Sequence, residues 1–108
     1  MQVTQIQWSE TEEKIAKKAI AQAKEREIAA LMEEVRQQAD SITELDHLWH
    51  LHDFLSARRY DIDGKYDYDY PTLVFVFARL LKEGWLHRDE LNGLNPEMVS
   101  KISALSRM

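Results

Sequence analysis

Residues 9–40 read SETEEKIAKKAIAQAKEREIAALMEEVRQQAD, thirty-odd positions without a glycine or a proline. Ser9 opens the run, and Glu12 three residues later completes a capping-box pattern. Strong helix formers follow, among them Ala16, Ala19, Ala23, Ala29, Ala30 and Leu31. Ile28, Val35, Ile42 and Trp49 then recur every seven residues with Leu31 and Leu45 as companions, the pattern of a short coiled-coil seam. Ser41 with Glu44 forms a second possible capping box, so the helix bends or breaks near Asp40; one kinked helix and two helices both fit. Either way the chain is mostly helical from Ser9 to Ile62.

About 30 continuous helical residues span roughly 45 Å, whereas a compact 100-residue domain has a radius of gyration of about 13 Å. A helix that long overhangs its own domain and leaves an apolar stripe uncovered. It must fold back as a hairpin or pair with another copy, and the favoured reading is a homodimer.

Beyond this region Gly64 reads as a left-handed residue just past a helix end. Tyr66 to Tyr70 alternates Tyr and Asp and reads as a surface loop with aromatic content. Pro71 at a first helical position and Gly84 bracket another helix. Within it Leu73–Phe77 has high strand propensity, but Phe77, Leu80 and Leu81 extend the run at helical spacing. Apolar on nearly all sides, it should be the buried helix of a head. A short helical turn at Asp89–Leu91 leads to Gly93. Asn95 and Pro96 then open a last helix with Val99, Ile102 and Leu105 inward. The expected architecture is all-α: a flexible N-terminus over 1–8, a long helical dimerisation region over 9–65, kinked or folded as a hairpin, and a compact C-terminal helical head over 66–108, together one structural domain.

Composition narrows the function. With 108 residues the chain suits one domain, and its 44% hydrophobic and 31% charged residues are those of a globular protein. No apolar run approaches the roughly 20 residues that span a bilayer, and Met1–Trp8 lacks the features of a secretory signal. The absence of cysteine excludes disulfides and thiolate chemistry and suits a reducing cytoplasm. A net charge of -5 argues against a nucleic-acid module.

The segment Asp46–Lys65 carries the most chemical information. Leu48, Leu51, Leu55 and Ile62 read as a core stripe, while Trp49, Asp53, Ser56 and Tyr60 project from the opposite side, flanked by His52 and Arg59. A solvated face does not need tryptophan, and a core face does not carry Asp, His and Arg. The ordinary reading is a helix–helix or dimer interface with paired charges. The sharper one is a docking surface, since Trp, Tyr and Arg dominate interface hot spots.

Leu48–Arg59 (LWHLHDFLSARR) followed by Ile62–Asp67 (IDGKYD) resembles the signature helix and loop of the fluorescence recovery protein family. Phe75–Ala78 with Leu80–Gly84 is similar to a second block of that family, and Lys101–Ile102 with Ala104–Leu105 to a third. The likeness runs from about Trp8 to the end. It departs at Met32, where a leucine is expected, and over Tyr68–Pro71.

The resemblance implies an all-α homodimer without cofactor or enzymatic activity. It would act in photoprotection on the orange carotenoid protein, a two-domain photoreceptor whose light-separated red form binds the phycobilisome and dissipates excitation as heat. Members of the family bind the C-terminal domain of the red form, promote its detachment and speed its return to the orange form, restoring antenna fluorescence after non-photochemical quenching. The resemblance further implies a cytoplasmic location, peripheral at the thylakoid surface near phycobilisomes, with no membrane insertion. It assigns Trp49, His52, Asp53 and Arg59 to the dimer and partner patch, and Phe75 and Lys101 to partner contact on the head.

Other chemistries fit less well. His47, His50 and His52 crowd together, but no glutamate stands between them in the H-E-x-x-H manner of zinc helices. Asp61, Asp63, Asp67 and Asp69 miss the EF-hand spacing: counting from Asp61, the glycine and glutamate positions hold Tyr66 and Thr72. Ser56, His52 and Asp53 lack any nucleophile elbow. A helical transcription regulator is the alternative from another class, with Asn95–Met108 as recognition helix, but Lys101 and Arg107 are its only cations.

Overall fold

A computed structural model of the chain describes residues 7–108. Four α-helices make up most of it, and no strand occurs among the described residues: α1 Glu10–Asp40, α2 Leu45–Lys65, α3 Leu73–Glu83 and α4 Pro96–Ser106. Two short 3-10 turns, Tyr70–Thr72 and Arg88–Leu91, join the later helices. Leu73–Phe77 is therefore helical despite its strand propensity, because the proline and glycine on either side leave it one helix length.

The first helix begins as its sequence dictates. Glu12 N donates to Ser9 Oγ at 3.1 Å, and Ser9 N donates to Glu12 Oε1 at 3.0 Å. The other carboxylate oxygen accepts from Asn95 N at 2.8 Å, so one side chain ties the start of α1 to the N-cap of α4. These backbone donors hold the Glu12 carboxyl below its ordinary range.

The break near Asp40 is a true interruption that makes two helices. The second capping box does not form: Ser41 Oγ donates to Gln37 O at 3.1 Å, and Glu44 makes no side-chain cap. Instead Thr43 N donates to His47 Nδ1 at 3.3 Å. The seven-residue recurrence stops with the helix. Ile28, Leu31, Val35 and Ile42 are half-buried, whereas Leu45 and Trp49 are exposed, because the turn resets the angular register.

The interior lies between the first half of α1 and the C-terminal elements. Ala16, Ala19, Ile20 and Ala23 form one cluster with Leu73, Val74, Phe77, Leu80, Leu91, Leu94, Met98 and Ile102. Small residues on α1 let the head approach closely. Gly93, at φ 101°, faces Ile15 so tightly that an added Cβ would stand 2.5 Å from Ile15 Cδ1. The interior thus crosses the boundary expected near residue 65. Of the expected free N-terminus, residues 1–6 lie outside the described residues. Trp8 packs on this core, its ring 5.7 Å from Tyr70 and 6.4 Å from Phe77.

Two readings are corrected. Gly64 is not a left-handed terminator: it lies within α2, and only Gly84 and Gly93 have positive φ among the described residues. Gly84, at φ 87°, does close α3. The Tyr66–Tyr70 segment is not a plain surface loop either. Its alternation turns Tyr66, Tyr68 and Tyr70 onto the core and leaves Asp67 and Asp69 exposed.

The remaining length of α1 and nearly all of α2 extend beyond this core. The radius of gyration is 17.0 Å and the extents are 58 × 26 × 24 Å, an elongated molecule rather than a sphere.

Candidate functional site

Helix α2 returns along the outer half of α1. Of its partly or fully buried positions, His47, Leu51, Phe54, Arg58, Ile62 and Lys65 form its inner side, with Asp61 at the edge. At 100° per residue the inner positions lie within about 40° of one line. The core stripe expected from Leu48, Leu51, Leu55 and Ile62 is therefore wrong in part. Leu48 and Leu55 stand at the surface, and the inner side carries Arg58 and Lys65 instead. The reason sits on α1: Glu27, 0% exposed, faces α2 and requires cations opposite it.

Outward from this seam, α2 presents a broad mixed face. Trp49 is 54% exposed, with His52 edge-on to its ring at a centroid distance of 6.5 Å. His52 Nδ1 lies 3.3 Å from Asp53 Oδ1, and Arg59 Nε lies 3.8 Å from Asp63 Oδ2. These side chains are all exposed, so such pairs hold little energy and are free to re-form with another molecule. Leu45, Leu48, Leu55 and Tyr60 share the face. Tyr60 stands on the side where the sequence places it, and the three leucines fall within about 120° of Trp49.

On the head, Phe75 is 60% exposed although its neighbours Val74 and Phe77 are buried. Lys101 is exposed on α4, one residue before the buried Ile102. The structure thus leaves all six candidate residues at the surface, four on α2 and two on the head.

The inner end of α2 is a charge cluster that the sequence reading missed. Lys65 Nζ donates to Glu27 at 2.7 and 3.0 Å and to Glu83 at 2.6 Å. Tyr66 Oη donates to Glu27 at 2.7 Å, and Arg79 donates to Asp61 at 2.6 Å and to Glu83 at 2.8 Å. Burial, and then the Glu27 carboxylate, push the Tyr66 phenol above its ordinary range. Arg79 beside Asp61 lowers that carboxyl, and burial of Glu83 is outweighed by donation from Lys65 and Arg79.

Between the ends of α1 and α2 an open cleft of about 410 Å³ is lined by Glu34, Gln37, Gln38, Ser41, His47 and His50. No group of three or more His, Asp or Glu side chains gathers as a metal site among the described residues. No helix among them is long and apolar enough to cross a membrane.

A family model described as photoprotection regulator fluorescence recovery protein matches residues 8–106. The chain belongs to the fluorescence recovery protein family. It is 45% identical over 108 residues to the fluorescence recovery protein of Synechocystis sp., a match covering 100% of this chain and 99% of that relative. Two solved structures of fluorescence recovery proteins share its fold over 94% of this chain and 100% of theirs. That from Fremyella diplosiphon is 56% identical with a TM-score of 0.91, and that from Synechocystis 47% identical with a TM-score of 0.90. Membership of the fluorescence recovery protein family makes the chain a photoprotection regulator.

Proposed function

We propose that the protein is a dimeric, non-enzymatic regulator that binds the photoactivated red form of the orange carotenoid protein. It grips the C-terminal domain of that form, accelerates its reversion to the orange form and promotes its detachment from the phycobilisome, so that antenna fluorescence recovers. The observation that carries this reading is the exposure of Trp49, His52, Asp53 and Arg59 on one face of α2, with Phe75 exposed on the head. A phenylalanine left in water, and a tryptophan left in water on the same face as exposed, weakly paired charges, are the makings of hot spots.

Acceleration follows from differential binding. A protein that holds two separated domains near their closed arrangement speeds closure only if it binds the closing transition state better than the open form. Each 1.36 kcal/mol of that difference is worth about tenfold in rate. Release then requires weak binding to the closed form. Trp49 supplies buried aromatic area, while Asp53 and Arg59 supply charged contacts that fix orientation.

A second copy of the chain is the occupant proposed for the apolar part of the face. Met32, Leu45, Leu48 and Leu55 are uncovered in the single chain, and obligate dimer interfaces are the more apolar kind.

Mixing the protein in the dark with photoconverted carotenoid protein and following the red-to-orange absorbance change tests the function. Recovery should quicken with concentration. Kinetics that stay the same over a wide concentration range would remove the reading.

A further inference from the structure

The charge cluster at the end of α2 lies where three helices meet. Glu27 comes from α1, Arg58, Asp61 and Lys65 from α2, and Arg79 and Glu83 from α3. Three carboxylates face three cations, so the cluster is neutral as a set. Its centre is dry: the Lys65 side chain is 1% exposed and that of Glu27 0%.

A dry ion pair is a poor device for stability. Removing two charges from water offsets most of their attraction, and apolar residues of the same volume hold helices together as well or better. Direction is what apolar contact does not supply. Lys65 Nζ is held between Glu27 on α1 and Glu83 on α3, and Glu27 also accepts from Arg58 Nη2 at 3.4 Å and from Tyr66 Oη. Arg79 closes the ring through Glu83 and Asp61. Rotation or slip of α2 against its neighbours would break several short bonds together. Apolar burial contributes less to that constraint, since Ile62 is the one buried apolar residue of α2, with Leu51 and Phe54 half-buried.

The cluster also sits at the short end of a lever. From Lys65 to Trp49 is sixteen residues, roughly 24 Å of helix, so a tilt of about 10° at the cluster, in which the outer half of α1 moves with α2 because residues 41–44 join them, displaces Trp49 by roughly 4 Å. That exceeds what a preorganised interface tolerates.

We propose that Glu27, Lys65, Glu83 and Arg79 form an electrostatic pivot that sets the angle between the α2 face around Trp49–Arg59 and the head surface around Phe75 and Lys101. These are positioning residues: none of them need touch the partner, and they act by letting one partner molecule meet both surfaces at once. The consequence for recovery rests on the function proposed above. The pivot itself does not.

The test uses the full chain, which has no native cysteine, so introduced labels are unique. Nitroxides go on Ser56→Cys of α2 and Ser100→Cys of α4, both exposed. Labelled chain is diluted into unlabelled chain so that distances are read within one copy. Electron–electron resonance should give a single narrow distance. The Glu27→Gln/Lys65→Met double variant removes both charges while keeping their volumes, and should broaden it. Lys65→Arg, which keeps the charge, should stay narrow. An unchanged narrow distance in the folded double variant would overturn the pivot. If that variant does not fold, Glu83→Gln takes its place, with broadening expected and an unchanged distance again overturning the idea. In the recovery assay, broadened variants should lose at least tenfold in rate, with Lys65→Arg restoring most of it. Broadening without loss of rate would overturn the functional role. Wild-type protein that fails to quicken recovery would instead defeat the proposed function and leave the distance result standing.

Discussion

Arg26 grips Glu90 with two parallel hydrogen bonds of 2.7 Å, and the same guanidinium donates to the Trp85 carbonyl at 2.9 Å. This bidentate fork clamps the middle of α1 to the turn before α4. Donation from Arg26 holds the Glu90 carboxyl down to about 2. Asp61, Glu83 and Glu12 are lowered as well, each by donors that favour the charged form. Above the ordinary carboxylate range these groups are ionised in folded and unfolded chains alike, and their contribution is complete. As pH falls from there toward 2, the unfolded chain takes up protons first and stability is lost. Urea midpoints should therefore fall between about pH 5 and 2. Glu90→Gln should lower stability at neutral pH by about 1 kcal/mol and flatten part of that slope. A slope unchanged in Glu90→Gln would count against the clamp.

Gly64→Ala gives a clean test of the backbone at the end of α2. A left-handed terminator would lose about 1 kcal/mol on gaining a Cβ. The helical backbone found here, with no atom beyond its chain neighbours and its own helix backbone within 4 Å of the added carbon, predicts a gain of up to about 1 kcal/mol instead. Thermal or urea unfolding decides the sign.

Phe75 and Phe77 are two residues apart on α3 and should behave oppositely. Phe77, 0% exposed, sits in the interior, so Phe77→Ala should cost about 3–5 kcal/mol and leave the chain barely folded. Phe75→Ala should change stability by less than about 0.5 kcal/mol yet slow the proposed recovery of the carotenoid protein. Circular dichroism melts beside recovery kinetics separate the two. A stable Phe75→Ala protein with undiminished recovery would remove Phe75 from the partner surface.

Trp49 and Leu55 test the proposed carotenoid-protein contact and the proposed dimer separately. Leu55→Asp places a charge on the uncovered apolar part of α2, and light scattering should show a shift toward single chains at micromolar concentration. Trp49→Ala should lower the recovery rate by tenfold or more, equivalent to about 1.4 kcal/mol of lost partner contact. If Trp49→Ala instead changes the mass and leaves the rate alone, the tryptophan serves the dimer.

The helical class, the Ser9–Glu12 cap, the Gly84 stop, the Asn95–Pro96 start and the family itself are all legible in the chain. Each rests on neighbours a few residues apart, whose local chemistry is the same in any surroundings. The exposed patch on α2 is legible too, because tryptophan beside Asp, His and Arg is a pattern of residue types. Which side of α2 turns inward was settled only by the tertiary structure. Leucines at Leu48 and Leu55 suggest a core, but Glu27 lies thirty-odd residues away in the sequence, and its desolvated carboxylate calls Lys65 and Arg58 to the inner side. The same holds for Gly64, which the helix runs through, and for Tyr66, drawn in by Glu27. A buried charge is satisfied by whatever partner the fold delivers, and that delivery is not written in any local run of residues.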